Sequence, residues 1–232
     1  MIILITGANR GLGLSLSTVC LEQGHRVIAG VRRIDKAEPL RQLKNTYRDK
    51  MELLPLDVSD HDSIQKASQA VAAITPVVDV IVNNAAREGT RCKNIEDVEM
   101  ADLEETWKTN VLGPMVITKY FIPLMESSRH KTILNISSDA GSVSEIPLKY
   151  YGYCISKAAL NMFTRLLDRD LRARNFKTLA VHPGWMKTEM GGEDATYEPM
   201  EIARHLYDRI VEMPQKEHCD YIVDYLGHPI PW

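Results

Sequence analysis

The sequence predicts an α/β protein of one domain: a doubly wound parallel sheet of about seven strands with helices on both faces. Three observations carry that expectation. The chain opens MIILITGANRGLG, an aliphatic run that passes directly into a glycine-rich turn. Beyond it, short apolar runs alternate with amphipathic stretches to the end of the chain. Its 232 residues, 44% of them hydrophobic, suffice for one large core, with no linker, repeat or low-complexity tract to divide it.

Residues 1–5 read as a buried parallel strand. Residues 12–23 follow as a helix with Leu12, Leu16, Val19 and Cys20 on one face, Gly24 as its stop, and 26–31 as the second strand. Strand, turn, helix and strand thus fit one βαβ unit. Residues 51–56 then read as strand, 60–73 as helix, 77–82 as strand, 103–125 as a long helix and 132–137 as strand. A helix over 153–174, a strand over 177–182, a helix over 199–213 with proline in its first turn and a last strand over 221–225 complete the series.

The opening turn asks what Gly7, Gly11 and Gly13 make room for. A helix N-terminus offers unpaired N–H groups and the positive end of the helix dipole, so an anion there is bound by main chain and a side chain obstructs it. A phosphate is expected. The Gly-x3-Gly-x-Gly spacing is not the general dinucleotide fingerprint, and no Lys-Ser or Lys-Thr follows, which sets a P-loop ATPase aside.

Composition narrows the class further. A net charge of −3, with both signs dispersed, gives no face for nucleic acid or for a membrane surface. Cys20, Cys92, Cys154 and Cys219 form no CxxC pair, and the histidines show no HxxxH spacing, so a reduced, metal-free, cytoplasmic protein is expected. The N-terminus lacks a basic leader, and no apolar run approaches the roughly 18 to 20 residues that span a bilayer.

In a doubly wound sheet ligands sit at the carboxyl ends of the strands, so the residues just past each strand outline the site. These are Thr6 to Gly13, Arg32 and Arg33, Asp57 and Val58, Asn83, Asn84 and Ala85, Ser137 and Ser138, and the stretch from Pro183 to Thr188. Tyr153 and Lys157 lie four apart at the start of a helix, hence on one face. Such a pair alone is usually a surface pair; beside the glycine turn, the asparagines and the serines it reads as catalytic.

Together these motifs resemble the short-chain dehydrogenase/reductases, in the expected order and over essentially the whole chain. TGANRGLG is similar to that family's TGxxxGxG cofactor turn, Asn83-Asn84-Ala85-Ala86 to its NNAG with alanine for glycine, KTNVLG carries Asn110, and Tyr153 to Lys157 matches YxxxK. HPGWMKTEMGG and the terminal GHPIPW resemble the carbonyl-reductase-like branch that includes C-factor and Sniffer.

The resemblance implies a single Rossmann domain over 1–232 and a catalytic tetrad of Asn110, Ser138, Tyr153 and Lys157. Tyr153 would donate the proton as hydride reaches a carbonyl carbon. A phenol titrates near pH ~10, so the Lys157 ammonium and an oxidised nicotinamide would favour phenolate in the reverse direction. Ser138 would hydrogen-bond the carbonyl oxygen, with Ser137 as the competing serine, and Asn110 would hold a water linked to Lys157.

Cofactor contacts are expected from Gly7, Asn9, Arg10, Gly11, Leu12 and Gly13, from Arg32, Asp57 and Val58, from Asn83, Asn84 and Ala85, from Tyr153 and Lys157, and from Pro183, Gly184 and Thr188. The strand end GVRR places Arg32 with Arg10 around a 2′-phosphate, and no acid stands nearby before Asp35, so NADPH is expected over NADH. Asp57 would accept from the adenine amine; a helix-terminal charge is the other reading of that residue. Thr188 would hold the nicotinamide carboxamide.

A loop over about 186–198 would cover a small carbonyl substrate, with Tyr151, Trp185 and Met190 as candidate walls. The long helices offer surfaces for a homodimer or homotetramer. Two other classes compete: a nucleotide-binding signalling or sensor protein of C-factor type with little turnover, and an interaction protein on a borrowed fold. A sugar-nucleotide epimerase is disfavoured by the short stretch that follows Thr188.

Overall fold

The computed structural model describes residues 1–92, 94–145, 150–213 and 222–232. Seven parallel strands form one sheet: β1 (Ile2–Thr6), β2 (Arg26–Val31), β3 (Met51–Pro55), β4 (Val80–Asn83), β5 (Thr132–Ile136), β6 (Lys177–His182) and β7 (Ile222–Asp224), in the order β3-β2-β1-β4-β5-β6-β7. The order reverses between β1 and β4, which opens the crevice where such sheets bind ligands. The register keeps the carboxyl ends level: Thr6 pairs with Gly30, Asn83 with Asn135 and His182 with Asp224.

Strand periodicity of two splits the core into two layers. Ile3, Ile5, Val80 and Val82 face the helices α1 (Gly11–Glu22) and α7 (Pro199–Glu212), whose Leu16, Val19, Leu206 and Ile210 are buried against them. Leu4, Ile28, Ile81 and Ile133 face the opposite layer, where α3 (His61–Ile74), α5 (Gly113–Met125) and α6 (Tyr151–Leu171) bury Ile64, Ile117, Phe121 and Leu167. Asp60 caps α3 by accepting from the amides of Asp62 and Ser63, and Pro199 opens α7. No helix among the described residues is long and apolar enough to cross a membrane.

Three elements differ from the sequence reading. A ten-residue helix, α2 (Glu38–Tyr47), covers the α1 side of the sheet edge; Leu40, Leu43 and Tyr47 form a narrow apolar stripe on the core, and the sequence reading passed over it. The long helix starts earlier, as α4 (Met100–Trp107), and passes through a π turn at Lys108–Leu112 before α5. The last strand is shorter, and Tyr221 and Cys219 lie outside the described residues. The terminal GHPIPW folds back on β7, with the Ile230 amide donating to the Ile222 carbonyl, and the Trp232 carbonyl accepts from the Ser144 amide.

Candidate active site

The glycine turn is built by close approach of the protein to itself. A Cβ on Gly7, whose φ is +65°, would lie 2.8 Å from the Ala85 Cα, and one on Gly13 would lie 2.4 Å from the Gly7 carbonyl oxygen and 2.6 Å from the Asn84 amide nitrogen. These two glycines therefore let the turn seat against the end of β4, a different reason from the clearance for phosphate expected of them. Asn84 stitches the same junction, its Nδ2 donating to the carbonyls of Thr6 (2.9 Å) and Gly7 (3.2 Å). The Thr6 hydroxyl accepts from the amides of Asn84 and Ala85, each at 3.0 Å, an anchor that the sequence reading missed.

Asn83 points elsewhere, donating to the Asn135 Oδ1 at 2.8 Å within the sheet. Leu12 and Val58 are buried in the two core layers, so only their backbone faces the strand-end edge. Asn9 and Arg10 are exposed at the turn, and Arg10 forms an ion pair with Glu189. Arg32 is exposed past β2 with no ion pair among the described residues, whereas Arg33 pairs with Asp35 at 3.0 Å. The acid nearest the strand end is thus already engaged.

Asp57 accepts from the amide (2.9 Å) and hydroxyl (2.7 Å) of Ser59 through one oxygen. Because Asp60 is the α3 cap, the helix-terminal reading of Asp57 is removed. On the far side, Pro183 and Gly184 lead from β6, and a Cβ on Gly184 would lie 2.9 Å from the Tyr197 ring. The Thr188 hydroxyl accepts from the Gly191 amide at 3.1 Å, and its methyl lies 3.1 Å from where a Gly11 Cβ would stand.

Tyr153 stands in the first turn of α6 and is half-buried; Lys157, one turn on, is 2% exposed. The Lys157 ammonium donates to the carbonyl of Ile136, the last residue of β5, at 2.7 Å, and lies 5.5 Å from the Tyr153 ring centre. Burial lowers its pKa to about 8. The Tyr153 phenol is pushed up: burial dominates, a hydrogen bond with the Ser138 side chain opposes it, and the carboxylates of Glu88 and Asp139 add to it. The protein's own groups hold this phenol protonated, the state of a proton donor.

The two serines separate by partner. The Ser137 hydroxyl donates to the Asn161 Oδ1 of α6 at 2.5 Å, deep in the fold. Ser138 is the one that reaches Tyr153. It also accepts from the Ala140 amide (3.1 Å) and donates to the Asp139 Oδ1 (2.9 Å), so it caps a short turn as well. Behind Asp139, the His182 ring accepts the Asp139 amide proton at 3.2 Å, and burial lowers the pKa of that imidazole.

Asn110 sits in the π turn with its side chain engaged by protein groups. Its Oδ1 accepts from the Arg87 amide (2.8 Å), and its Nδ2 donates to the Arg87 carbonyl (2.7 Å) and the Ser156 hydroxyl (2.9 Å). Both amide protons are used, so the side chain ties the loop after β4 to α6. The side chain therefore does not show the free group expected to hold a water.

With this arrangement in place the comparisons are decisive. A model of the short chain dehydrogenases matches residues 1–198. The chain belongs to that family. Its relatives include C-signal of Myxococcus xanthus, 36% identical over 164 residues that make up 70% of this chain and 98% of that protein. Among solved structures, the carbonyl reductase Sniffer of D. melanogaster superposes with a TM-score of 0.91 at 28% identity, covering 99% of this chain and 98% of that one. The NADPH-bound carbonyl reductase from chicken fatty liver gives 0.91 at 27%, with the same coverage. This short-chain dehydrogenase therefore has the Rossmann sheet of the carbonyl reductases, as the sequence motifs imply.

Proposed function

We propose that the protein is an NADPH-dependent reductase that converts a ketone, aldehyde or quinone to an alcohol, with Tyr153 as proton donor and Asn110, Ser138 and Lys157 completing the site. One observation carries the reading: a protonated, half-buried phenol stands one helical turn from a buried ammonium and beside Ser138, on the sheet edge that also bears the glycine turn. The solved carbonyl reductases that the chain superposes on support it, the chicken enzyme being NADPH-bound.

The residues present suit such a nucleotide. Helix α1 starts with no side-chain cap and no acid in its first turn, which leaves its leading N–H groups to a diphosphate. Arg32, without a carboxylate partner among the described residues, suits a 2′-phosphate, and the second Asp57 oxygen suits an adenine amine. Reduced nicotinamide, when bound, supplies the hydride.

The chain's own groups do the rest. As negative charge grows on the carbonyl oxygen, the Tyr153 hydroxyl gives up its proton, and Lys157 lies close enough to stabilise the phenolate that remains. With a pKa near 8, Lys157 is charged at neutral pH yet able to pass a proton back. Ser138 supplies the second hydrogen bond by turning its proton from Asp139 to the substrate oxygen. Asn110 acts through the loop it holds, and its main chain offers a place for the water that links Lys157 to solvent.

The reading extends to a substrate loop over about 186–198, walled by Trp185 and Met190 with Tyr151 opposite, and to a cytoplasmic setting in which the core thiol of Cys20 stays inert, its pKa pushed by burial up to about 12. It also includes a homodimer or homotetramer through the long helices, since Ile155, Met162 and Leu166 form an exposed apolar stripe on α6. Light scattering reads the last point.

The test is NADPH absorbance in the presence of a panel of aldehydes, ketones and quinones. Turnover lost in Tyr153→Phe with nucleotide binding retained supports the assignment. Nucleotide binding with no Tyr153-dependent turnover would favour the signalling reading, for which the likeness to C-signal speaks.

A further inference from the structure

The segment that follows β6 is not free at its tip. Thr188 closes it into a tight turn, its hydroxyl accepting from the Gly191 amide at 3.1 Å and its carbonyl from the Gly192 amide at 2.8 Å. That turn is docked at two places on opposite sides of the cleft. The Thr188 methyl packs over Gly11 of the glycine turn, and the Arg91 guanidinium, from the loop after β4, donates to the Met190 carbonyl at 3.2 Å. Glu189 lies between these two points, and its carboxylate pairs with Arg10.

Arg10 therefore holds the loop through one exposed ion pair. It stands at the start of α1 in extended backbone conformation, and its side chain caps nothing in the helix. Its carboxylate partner is also more distant in sequence than those of its neighbours: Arg33 is held by Asp35, Arg91 by Glu88 and Arg87 by Asp102, whereas Arg10 is held by Glu189. Resting on the nucleotide assignment above, we propose that Glu189 sets cofactor specificity by competing with the nucleotide's 2′-phosphate for Arg10, so that one guanidinium serves either the docked loop or the phosphate.

The physical argument is one of charge. A phosphate near Arg10 must displace the Glu189 carboxylate or accept its repulsion, and a 2′-hydroxyl suffers neither. Glu189 thus disfavours NADPH alone. Both side chains are largely exposed, at 61% and 72%, so water and salt screen the pair and the effect is modest. Arg32, with no such competitor among the described residues, carries the larger share of phosphate recognition, and Arg10 tunes it. Displacement also breaks the ion pair that lies between the loop's two docking points, which couples phosphate occupancy to loop mobility.

The experiment measures dissociation constants for NADPH and NADH in the wild-type protein, Glu189→Gln, Arg10→Ala and the double variant. Glu189→Gln should raise the NADPH-to-NADH affinity ratio by about two- to fivefold at low salt, less at high salt, and should change nothing in the Arg10→Ala background. As a second reading, limited proteolysis of the 186–198 loop should be faster with adenosine 2′,5′-bisphosphate than with adenosine 5′-monophosphate in the wild-type protein, and equal for the two in Glu189→Gln. A ratio that stays constant or falls in Glu189→Gln overturns the inference while leaving the NADPH assignment intact. A wild-type protein that binds NADH and NADPH equally overturns that assignment, and the inference with it.

Discussion

Replacing Lys157 by methionine should stabilise the protein at neutral pH and destabilise it at alkaline pH, a reversal that follows from the buried ammonium. Its pKa falls from 10.5 to about 8 in the folded chain. At about 1.4 kcal/mol per tenfold change in proton affinity, holding the charge inside costs the fold about 3 kcal/mol at pH 7. The sign is fixed by proton counting. Between pH 8 and 10.5 the unfolded chain binds more protons at this site than the folded one, so stability rises with pH through that window and the penalty fades. From pH 7 to pH 10 the wild-type protein should recover about 2.5 kcal/mol relative to the variant.

Methionine fills the same volume without a charge, but it leaves the Ile136 carbonyl without the 2.7 Å donor, at a cost of about 2 kcal/mol. The variant should then be more stable by about 1 kcal/mol at pH 7, equal to wild type near pH 9, and less stable by about 1 kcal/mol at pH 10. Urea unfolding at each pH, read as the difference between the two proteins, is the appropriate assay. The difference is needed because Cys20, whose pKa rises from 9.0 to about 12 through burial, makes both proteins less stable above pH 9 and cancels. A stability difference that stays flat from pH 7 to pH 10 would refute the burial argument, and with it the idea that this lysine is kept for chemistry at the expense of stability.

Other substitutions separate structural from chemical roles. Gly13→Ala should cost about 3 kcal/mol in urea unfolding, at the upper end for an overpacked site, because its Cβ meets a backbone oxygen at 2.4 Å that cannot swing aside. Ser137→Ala should lower stability by about 1 kcal/mol and leave kcat nearly unchanged, whereas Ser138→Ala should lower kcat about 100-fold with a smaller loss of stability. Isothermal calorimetry on Arg32→Ala should show NADPH binding weakened about tenfold, as for loss of a charged hydrogen bond, with NADH binding close to wild type. Equal weakening of both nucleotides would remove Arg32 from phosphate recognition.

The strands were legible because a sheet covered on both faces demands unbroken aliphatic runs, and ILIT, RVIAGV and TILNI are such runs. Helix α2 was missed although Leu40, Leu43 and Tyr47 keep a helical period, because only three apolar residues stand among seven polar or proline positions. The π turn was hidden too: KTNVL continues a helical pattern, and the extra residue per turn follows from Asn110 reaching both Arg87 and Ser156, contacts that exist only after folding. Tyr153 and Lys157 were legible as a pair on one helix face, and as a site only beside the glycine turn, the asparagines and the serines. The anchoring role of Thr6, and Asp139, His182 and Glu189 altogether, were not, because each matters through a partner brought from another strand end or loop.

That contrast bears on how the site is held. Tyr153 and Lys157 share one helix, and each of the other groups is fixed by a tie across elements: Asn84 to the glycine turn, Asn110 to the loop after β4, Lys157 to the end of β5. These ties are mostly hydrogen bonds of buried or half-buried groups, which lose little to water and lock geometry once formed. The tie from Arg10 to Glu189, by contrast, joins two exposed charges. A site built this way keeps its catalytic edge rigid and places its freedom in the 186–198 loop, so substitutions at the buried ties should act on stability and kcat together. Substitutions at the exposed pair should act on nucleotide choice and loop mobility with little change in stability.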